Sequence, residues 1–270
     1  MMQHQKIIMN EEKISFSFGK NWEDFSKTIT DNEVKSAIQD IEEWIGKERI
    51  VDKTVLDIGC GSGIHSLAYF LLGAKSIDSF DFDSFSVKTT RSLWEKYNKP
   101  INWKVFPGSI LDRAFLDQLP KYDIVYSWGV LHHTGEMWKA IENAAALVKP
   151  DGYFWISIYA KGPKYGEHLA LKRKYNAAST LGKRWMELRF ILRLMAGRFR
   201  CHQNPFAWNQ KSTRGMDTYH DMIDWLGGLP YEVASEDEIE QFCKERGMVL
   251  ERTKINGEGG CNIYFFKRFL

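Results

Sequence analysis

The chain has 270 residues, 44% of them apolar and 27% charged, with a formal net charge of +2. That length accommodates one α/β domain with elaborations, or one domain with a small cap. No apolar run approaches bilayer-spanning length, and the opening Met-Met-Gln-His-Gln-Lys is too polar for a signal peptide. Cys60, Cys201, Cys243 and Cys261 are scattered without a C-x-x-C pair, which argues against a disulfide framework or a zinc site and for a reduced, cytoplasmic setting.

Residues 1–50 carry Phe16, Phe18, Trp22 and Phe25, then a helical pattern from about Asn32 to Ile45. Ala37, Ile38, Ile41, Trp44 and Ile45 share one face, expected to pack on the edge of a sheet. Val55 to Gly63 then reads Val-Leu-Asp-Ile-Gly-Cys-Gly-Ser-Gly. The apolar start, from Thr54 to Asp57, suits a buried strand. Gly59, Gly61 and Gly63 suit a tight turn into a helix where the backbone approaches a ligand. Ile64 to Leu72 is that helix, with Gly73 as its C-cap. Ser76 to Phe80 is a second strand and ends in Asp81. That acid stands about 20 residues beyond the glycines, the spacing of a ribose-binding carboxylate in nucleotide-binding α/β folds.

Strand and helix continue to alternate, which implies a parallel sheet with crossover connections. Helices are expected at Ser84–Tyr97, capped by Asp83 or Ser84, at Asp112–Leu119 and at Met137–Val148. Strands are expected at Asn102–Phe106, Tyr122–Ser127 and Tyr153–Tyr159, with Lys149-Pro150-Asp151-Gly152 as a turn. The alternation stops at residue 161 and resumes near 233. Ser235-Glu236-Asp237-Glu238 is a capping box opening a helix to about Arg246. Met248–Ile255 and Cys261–Lys267 form a terminal hairpin across Asn256-Gly257-Glu258-Gly259-Gly260.

Residues 161–200 hold eleven Lys and Arg against two acids, Glu167 and Glu187. Trp185–Phe199 is amphipathic, with Trp185, Leu188, Leu192 and Met195 on one side and Arg189 and Arg193 on another. Such asymmetry suggests an anionic partner: a phosphorylated or nucleotide-linked metabolite, RNA, or an acidic membrane surface. Residues 205–232 are rich in Trp, Tyr, His and Asp and fold back toward the sheet. Arg214, Tyr219 and His220 are the candidate substrate contacts there.

The glycine segment resembles motif I of class I S-adenosylmethionine-dependent methyltransferases. Nicotinamide enzymes instead space their glycines as G-x-G-x-x-G. The resemblance covers residues 50–160 and 233–270, with the methyltransferase core itself over 51–160 and 233–270. It implies a Rossmann-like seven-stranded, mostly parallel sheet of order 3-2-1-4-5-7-6, with a helical cap over 161–232 inserted after the fifth strand and an N-terminal helical segment over 1–50. It implies S-adenosylmethionine as cofactor, held by Asp57, Gly59, Gly61, Gly63 and Asp81, with Phe82 against the adenine. Ser109 and Ile110 stand where the family often has an acid for the adenine amino group. Ser127 and Trp128 would face the methionine moiety. The run Leu131-His132-His133 resembles small-molecule methyltransferases of the quinone-biosynthesis type, and either His132 or His133 has a pKa suited to a general base. Phe18-Gly19-Lys20-Asn21-Trp22 can fold across the cofactor mouth, which makes Trp22 a substrate contact along with Tyr159, Arg189 and Arg193.

The expected reaction is methyl transfer to a small molecule, at oxygen ahead of nitrogen or carbon. The cap favours an enclosed acceptor, anionic if the basic segment reaches it. RNA methylation is the rival enzyme reading. A cofactor-binding protein without turnover is the rival of another class.

Overall fold

In the computed structural model, residues 18–26, 30–209 and 217–269 are described. A seven-stranded sheet has the order β3-β2-β1-β4-β5-β7-β6. Its strands are β1 (Thr54–Ile58), β2 (Ser76–Asp81), β3 (Trp103–Pro107), β4 (Tyr122–Trp128), β5 (Val148–Tyr159), β6 (Met248–Lys254) and β7 (Cys261–Arg268). The first five pair in parallel, and β7 pairs antiparallel with both β5 and β6. Val55, Leu56 and Ile58 of β1 are buried, as a central strand covered on both faces requires.

Helices cover both faces. On one face α2 (Asp31–Trp44), α3 (Ile64–Leu71) and α4 (Ser84–Lys96) bury Ile41, Leu67, Ala68 and Trp103. On the other, α6 (Met137–Ala146) and α10 (Glu236–Lys244) bury Ala140, Ile141, Ile239 and Cys243, with the single turn α5 (Arg113–Leu116) beside them. Thr30 and Glu33 form a capping box that starts α2, and Ser235 and Glu238 form another that starts α10. The α2 helix was expected at the sheet edge. It lies on the sheet face instead, with Trp44 stacked 5.7 Å from Trp155 of β5.

A second difference concerns residues 149–152. They continue β5, which starts at Val148 opposite Tyr122. The turn composition of Lys149-Pro150-Asp151-Gly152 is absorbed by a register shift against β4, and Asp151 takes a φ of +59°.

The chain leaves the sheet at Ala160 and returns at Ala234, and the two residues form a parallel bridge. Between them lie α7 (Tyr165–Ala177), α8 (Thr180–Arg200) and α9 (Thr218–Gly227). At the other end of the chain, α1 (Phe18–Ser26) packs on α4 and α9. Both additions therefore sit over the C-terminal edge of the parallel strands, where open α/β sheets bind ligands.

Candidate active site

The turn after β1 is bound to the end of β2. Gly59 and Cys60 donate their amides to the Phe80 carbonyl, and Gly61 donates to the Asp81 carboxylate at 3.0 Å. Gly59 has a φ of +76°, and a Cβ there would lie 2.4 Å from Val130. A side chain at this position would meet the segment after β4, so the turn can only be glycine. Asp83 donates its amide to the other Asp81 oxygen at 2.8 Å and caps α4 by accepting from Phe85. Each Asp81 oxygen thus holds one backbone N–H and keeps lone-pair capacity for a further donor. Burial pushes this carboxyl up to about 6.

A cavity of about 660 Å³ opens beside this turn. Gly59, Asp81, Phe82, Ser109, Ile110 and Trp128 line it, together with Phe18 and Trp22 of α1 and both His132 and His133. Phe82 is 71% exposed, a large apolar ring left uncovered at the mouth of the cavity. Ser109 accepts from the Leu111 amide, so its hydroxyl shapes its own loop. No acid replaces it, because Asp112 accepts from Phe115 as the cap of α5.

Four of the expected cofactor residues, Asp57, Gly61, Gly63 and Ser127, do not line the cavity. Asp57 is buried and accepts from Ser66 Oγ at 2.5 Å, and Ser66 is in turn 2.7 Å from Ser79, which accepts from Trp103. Burial pushes the Asp57 carboxyl up to about 7. This relay ties β1 to α3, β2 and β3 and fixes where the glycine turn begins. Ser127 is wholly buried and donates to the Ile58 carbonyl, pinning β4 to β1. Gly63 is the N-cap of α3, with its Cβ position closed by Thr90 at 2.7 Å.

His132 and His133 form a 3₁₀ turn after β4. His132 is fully buried, 4.2 Å from the Tyr159 ring and 4.4 Å from His133. Among the described residues neither of its ring nitrogens makes a hydrogen bond of normal geometry. Burial, the neighbouring His133 and the Lys172 cation hold it well below the usual histidine range. His133 Nδ1 lies 2.7 Å from the Pro230 carbonyl. A carbonyl only accepts, so Nδ1 carries the proton and Nε2 the lone pair. Burial and the Lys172 charge push His133 down to about 3, so it is neutral at pH 7.

Lys172 itself is buried under the cap. Its Nζ donates to the Trp225 carbonyl and lies 4.6 Å from the Trp225 ring, 4.6 Å from Tyr231 and 5.3 Å from Tyr159. Desolvation lowers its pKa to about 7. It fastens α7 to α9 and to the sheet.

The helix α1 closes the cavity from the front. Gly19 donates its amide to Asp83 at 3.0 Å, and the Asn21 amide donates to Asp224 at 2.8 Å and to the His220 carbonyl at 3.0 Å. Phe18 lies 4.8 Å from the His133 ring, and the Trp22 ring covers the Gly61 Cα, 3.2 Å from where a Cβ would stand.

A second cavity of about 840 Å³ lies beneath the cap. It shares Trp128, Tyr159, Asp221, Asp224 and Cys261 with the first. Arg193 lines it, whereas Arg189 faces outward and lines neither cavity. Tyr219 and His220 also line neither. The Tyr219 hydroxyl is 2.6 Å from Arg184, and His220 Nδ1 is 2.7 Å from Asp217, so both brace the cap. Arg214 lies outside the described residues. Asp221 and Asp224, one helical turn apart on α9, are the site residues that sequence reasoning passed over. They stood in an aromatic and acidic run with no strand or glycine turn to mark its place.

Comparison with known proteins agrees with this geometry. Residues 30–199 match the family model described as a methyltransferase domain. Ribosomal protein L11 methyltransferase of Staphylococcus saprophyticus is 34% identical over 101 residues, which are 37% of this chain and 30% of that protein. Ubiquinone biosynthesis O-methyltransferase of Bordetella avium is 30% identical over 124 residues, 45% of this chain and 50% of that protein. The chain thus matches half or less of the length of these relatives. The magnesium protoporphyrin IX methyltransferase of Synechocystis PCC 6803, solved with bound SAH, superposes with a TM-score of 0.53 at 16% identity, covering 87% of this chain and 83% of that one. At that identity the likeness is one of fold.

Proposed function

The chain belongs to the methyltransferase-domain family, and from that premise we propose that it transfers a methyl group from S-adenosylmethionine to an oxygen of an enclosed small molecule. The observation that carries this reading is the pair of cavities with a common wall at Trp128, Tyr159, Asp221, Asp224 and Cys261. Each volume falls in the range of small-molecule sites, roughly 300–1,000 Å³.

The first cavity fits the cofactor. Gly59 brings bare backbone to its wall, Asp81 offers a desolvated carboxylate for the two ribose hydroxyls, and Phe82 and Ile110 offer apolar surface to the adenine. When bound, S-adenosylmethionine supplies an electrophilic methyl on a sulfonium. The protein's part is to position the acceptor and exclude water. Phe18 and Trp22 of α1 cover the front of the cavity, and the cap closes the rear. For an acceptor hydroxyl, the proton goes to His133 Nε2, which the bond from Nδ1 to Pro230 leaves with the lone pair, although burial, by lowering His133 to about 3, makes it a weaker base than the neutral-range histidine the sequence suggested.

The anionic preference of the acceptor rested on the basic cap. Of the eleven Lys and Arg in 161–200, only Lys164 and Arg193 line the second cavity, where Asp40, Glu167, Asp221, Asp224 and Glu258 also stand. Lys254 adds a third cation to that lining, but the five acids outnumber the three cations, so the lining gives no reason to favour an acidic acceptor.

Blocking the second cavity tests the reading. Leu194 lines it and lies outside the buried cluster beneath α8. Leu194→Trp is expected to leave the cofactor Kd within about two-fold while transfer of labelled methyl to the acceptor falls at least ten-fold. Equal losses of cofactor binding and transfer would remove the second cavity as the acceptor site.

A further inference from the structure

The α8 helix has two apolar sides. Met186, Phe190 and Ile191 pack inward on Tyr175, Met222 and Leu226. Leu181, Trp185, Leu188, Leu192 and Phe199 lie on the opposite side, at alternating intervals of four and three residues or their sum, and so form one stripe. This second stripe faces solvent. Leu181 is 83% exposed, Trp185 59% and Phe199 71%, and Phe206, just beyond the helix, is 80% exposed. Contiguous exposed apolar surface of this extent marks an interaction site.

Charge decides what it meets. At about 100° per residue, Arg184 and Arg198 flank the stripe on one side and Arg189 and Arg200 on the other. The acid of α8, Glu187, is buried on the inward side and accepts from Tyr175 and Arg184. From residue 188 to 216 the sequence has four further arginines and lysines beyond Arg189 and Arg200 and no Asp or Glu. A second copy laid on the stripe would bring arginine rows against arginine rows, which opposes self-association. An apolar stripe with aromatic residues, bordered on both sides by arginines, matches the surface of an anionic bilayer. Its apolar side enters the acyl boundary and its cations reach the headgroups. Among the described residues no helix is long and apolar enough to cross a membrane, so the contact is one of lying on the surface.

We propose that the exposed face of α8 seats the protein on anionic lipid membranes. The proposal stands apart from the identity of the acceptor, since none of the stripe residues lines either cavity.

Vesicle co-sedimentation of the full chain tests it, with vesicles of phosphatidylcholine alone and with about three parts in ten phosphatidylglycerol. Binding is expected to the anionic vesicles, to be weak on phosphatidylcholine, and to fade as salt is raised. Arg189→Gln with Arg200→Gln should lower the partition coefficient by roughly ten- to thirty-fold. Trp185→Glu with Leu192→Glu should remove binding, and circular dichroism and cofactor affinity should match the parent for both variants. Absence of binding by the parent chain, equal binding to both vesicle types, or unaltered binding by the double-glutamate variant would each overturn the proposal. So would a dimer in lipid-free sedimentation velocity that the same glutamates dissolve, because a second copy would then be the occupant.

Discussion

Asp81→Ala is expected to weaken S-adenosylmethionine binding by at least about 100-fold. The carboxylate is placed to accept from two ribose hydroxyls, and a hydrogen bond to a charged group contributes about 1.5–3 kcal/mol. Alanine also frees the Gly61 and Asp83 amides that Asp81 now holds at 3.0 and 2.8 Å, so the turn loses its tie to β2. Asp81→Asn separates the two effects, since it keeps the shape and one acceptor oxygen. It should bind more tightly than the alanine variant and far less tightly than the parent. The pH dependence carries the same signature. Burial raises the Asp81 carboxyl to about 6, so the unliganded folded protein takes up a proton that the unfolded chain releases at about pH 4. The stability of the unliganded protein should therefore decline as pH rises from about 4 through about 6. Cofactor affinity should increase over the same interval, because only the ionised form accepts from both hydroxyls. Isothermal calorimetry between pH 5 and 8 reads this directly, and a flat profile together with unchanged affinity in the alanine variant would displace the ribose from Asp81.

His133→Ala is the second large effect. Loss of a positioned base typically costs 10²–10⁴ in rate, and this loss should fall on kcat while cofactor affinity stays within a few-fold. Because burial holds His133 near 3, its charge does not change between pH 5 and 8, and a step in the parent's kcat near pH 7 belongs to Lys172 rather than to His133. In the alanine variant, activity should recover toward high pH if the acceptor hydroxyl ionises unaided. His133→Gln, which can still donate to the Pro230 carbonyl, keeps the packing without a basic nitrogen and should resemble alanine in rate. A full rate in His133→Gln would assign catalysis to positioning alone.

The sheet was legible because strands and helices alternate cleanly, and its strand order came with the resemblance to class I methyltransferases, which the terminal hairpin fits. Asp81 was legible because it stands at a fixed interval from the glycines and ends a strand. Asp57 stands in the same motif, but its side chain projects from β1 to the sheet face that α3 covers, where Ser66 meets it. The cap was legible as an insertion, with its two ends bridged at Ala160 and Ala234, but not in its facing. Periodicity identifies an apolar stripe without saying which side of a helix is covered. In α8 the stripe marked by Trp185 and Leu192 is the uncovered one, while Phe190 and Ile191 pack inward. The charge count had the same limit. It pools the eleven cations of 161–200, whereas Lys172 is buried and Arg189 exposed. Asp221 and Asp224 reach the shared wall only because α9 folds back over the sheet edge, a tertiary fact with no local signal.

Incubation of the purified protein with methyl-labelled S-adenosylmethionine and a fractionated cell extract shows which class of molecule receives the methyl group. Label is expected in the small-molecule fraction, lost in Asp81→Ala and in Leu194→Trp. Label recovered in RNA or protein, or in no fraction while the cofactor still binds, would contradict methyl transfer to an enclosed small molecule.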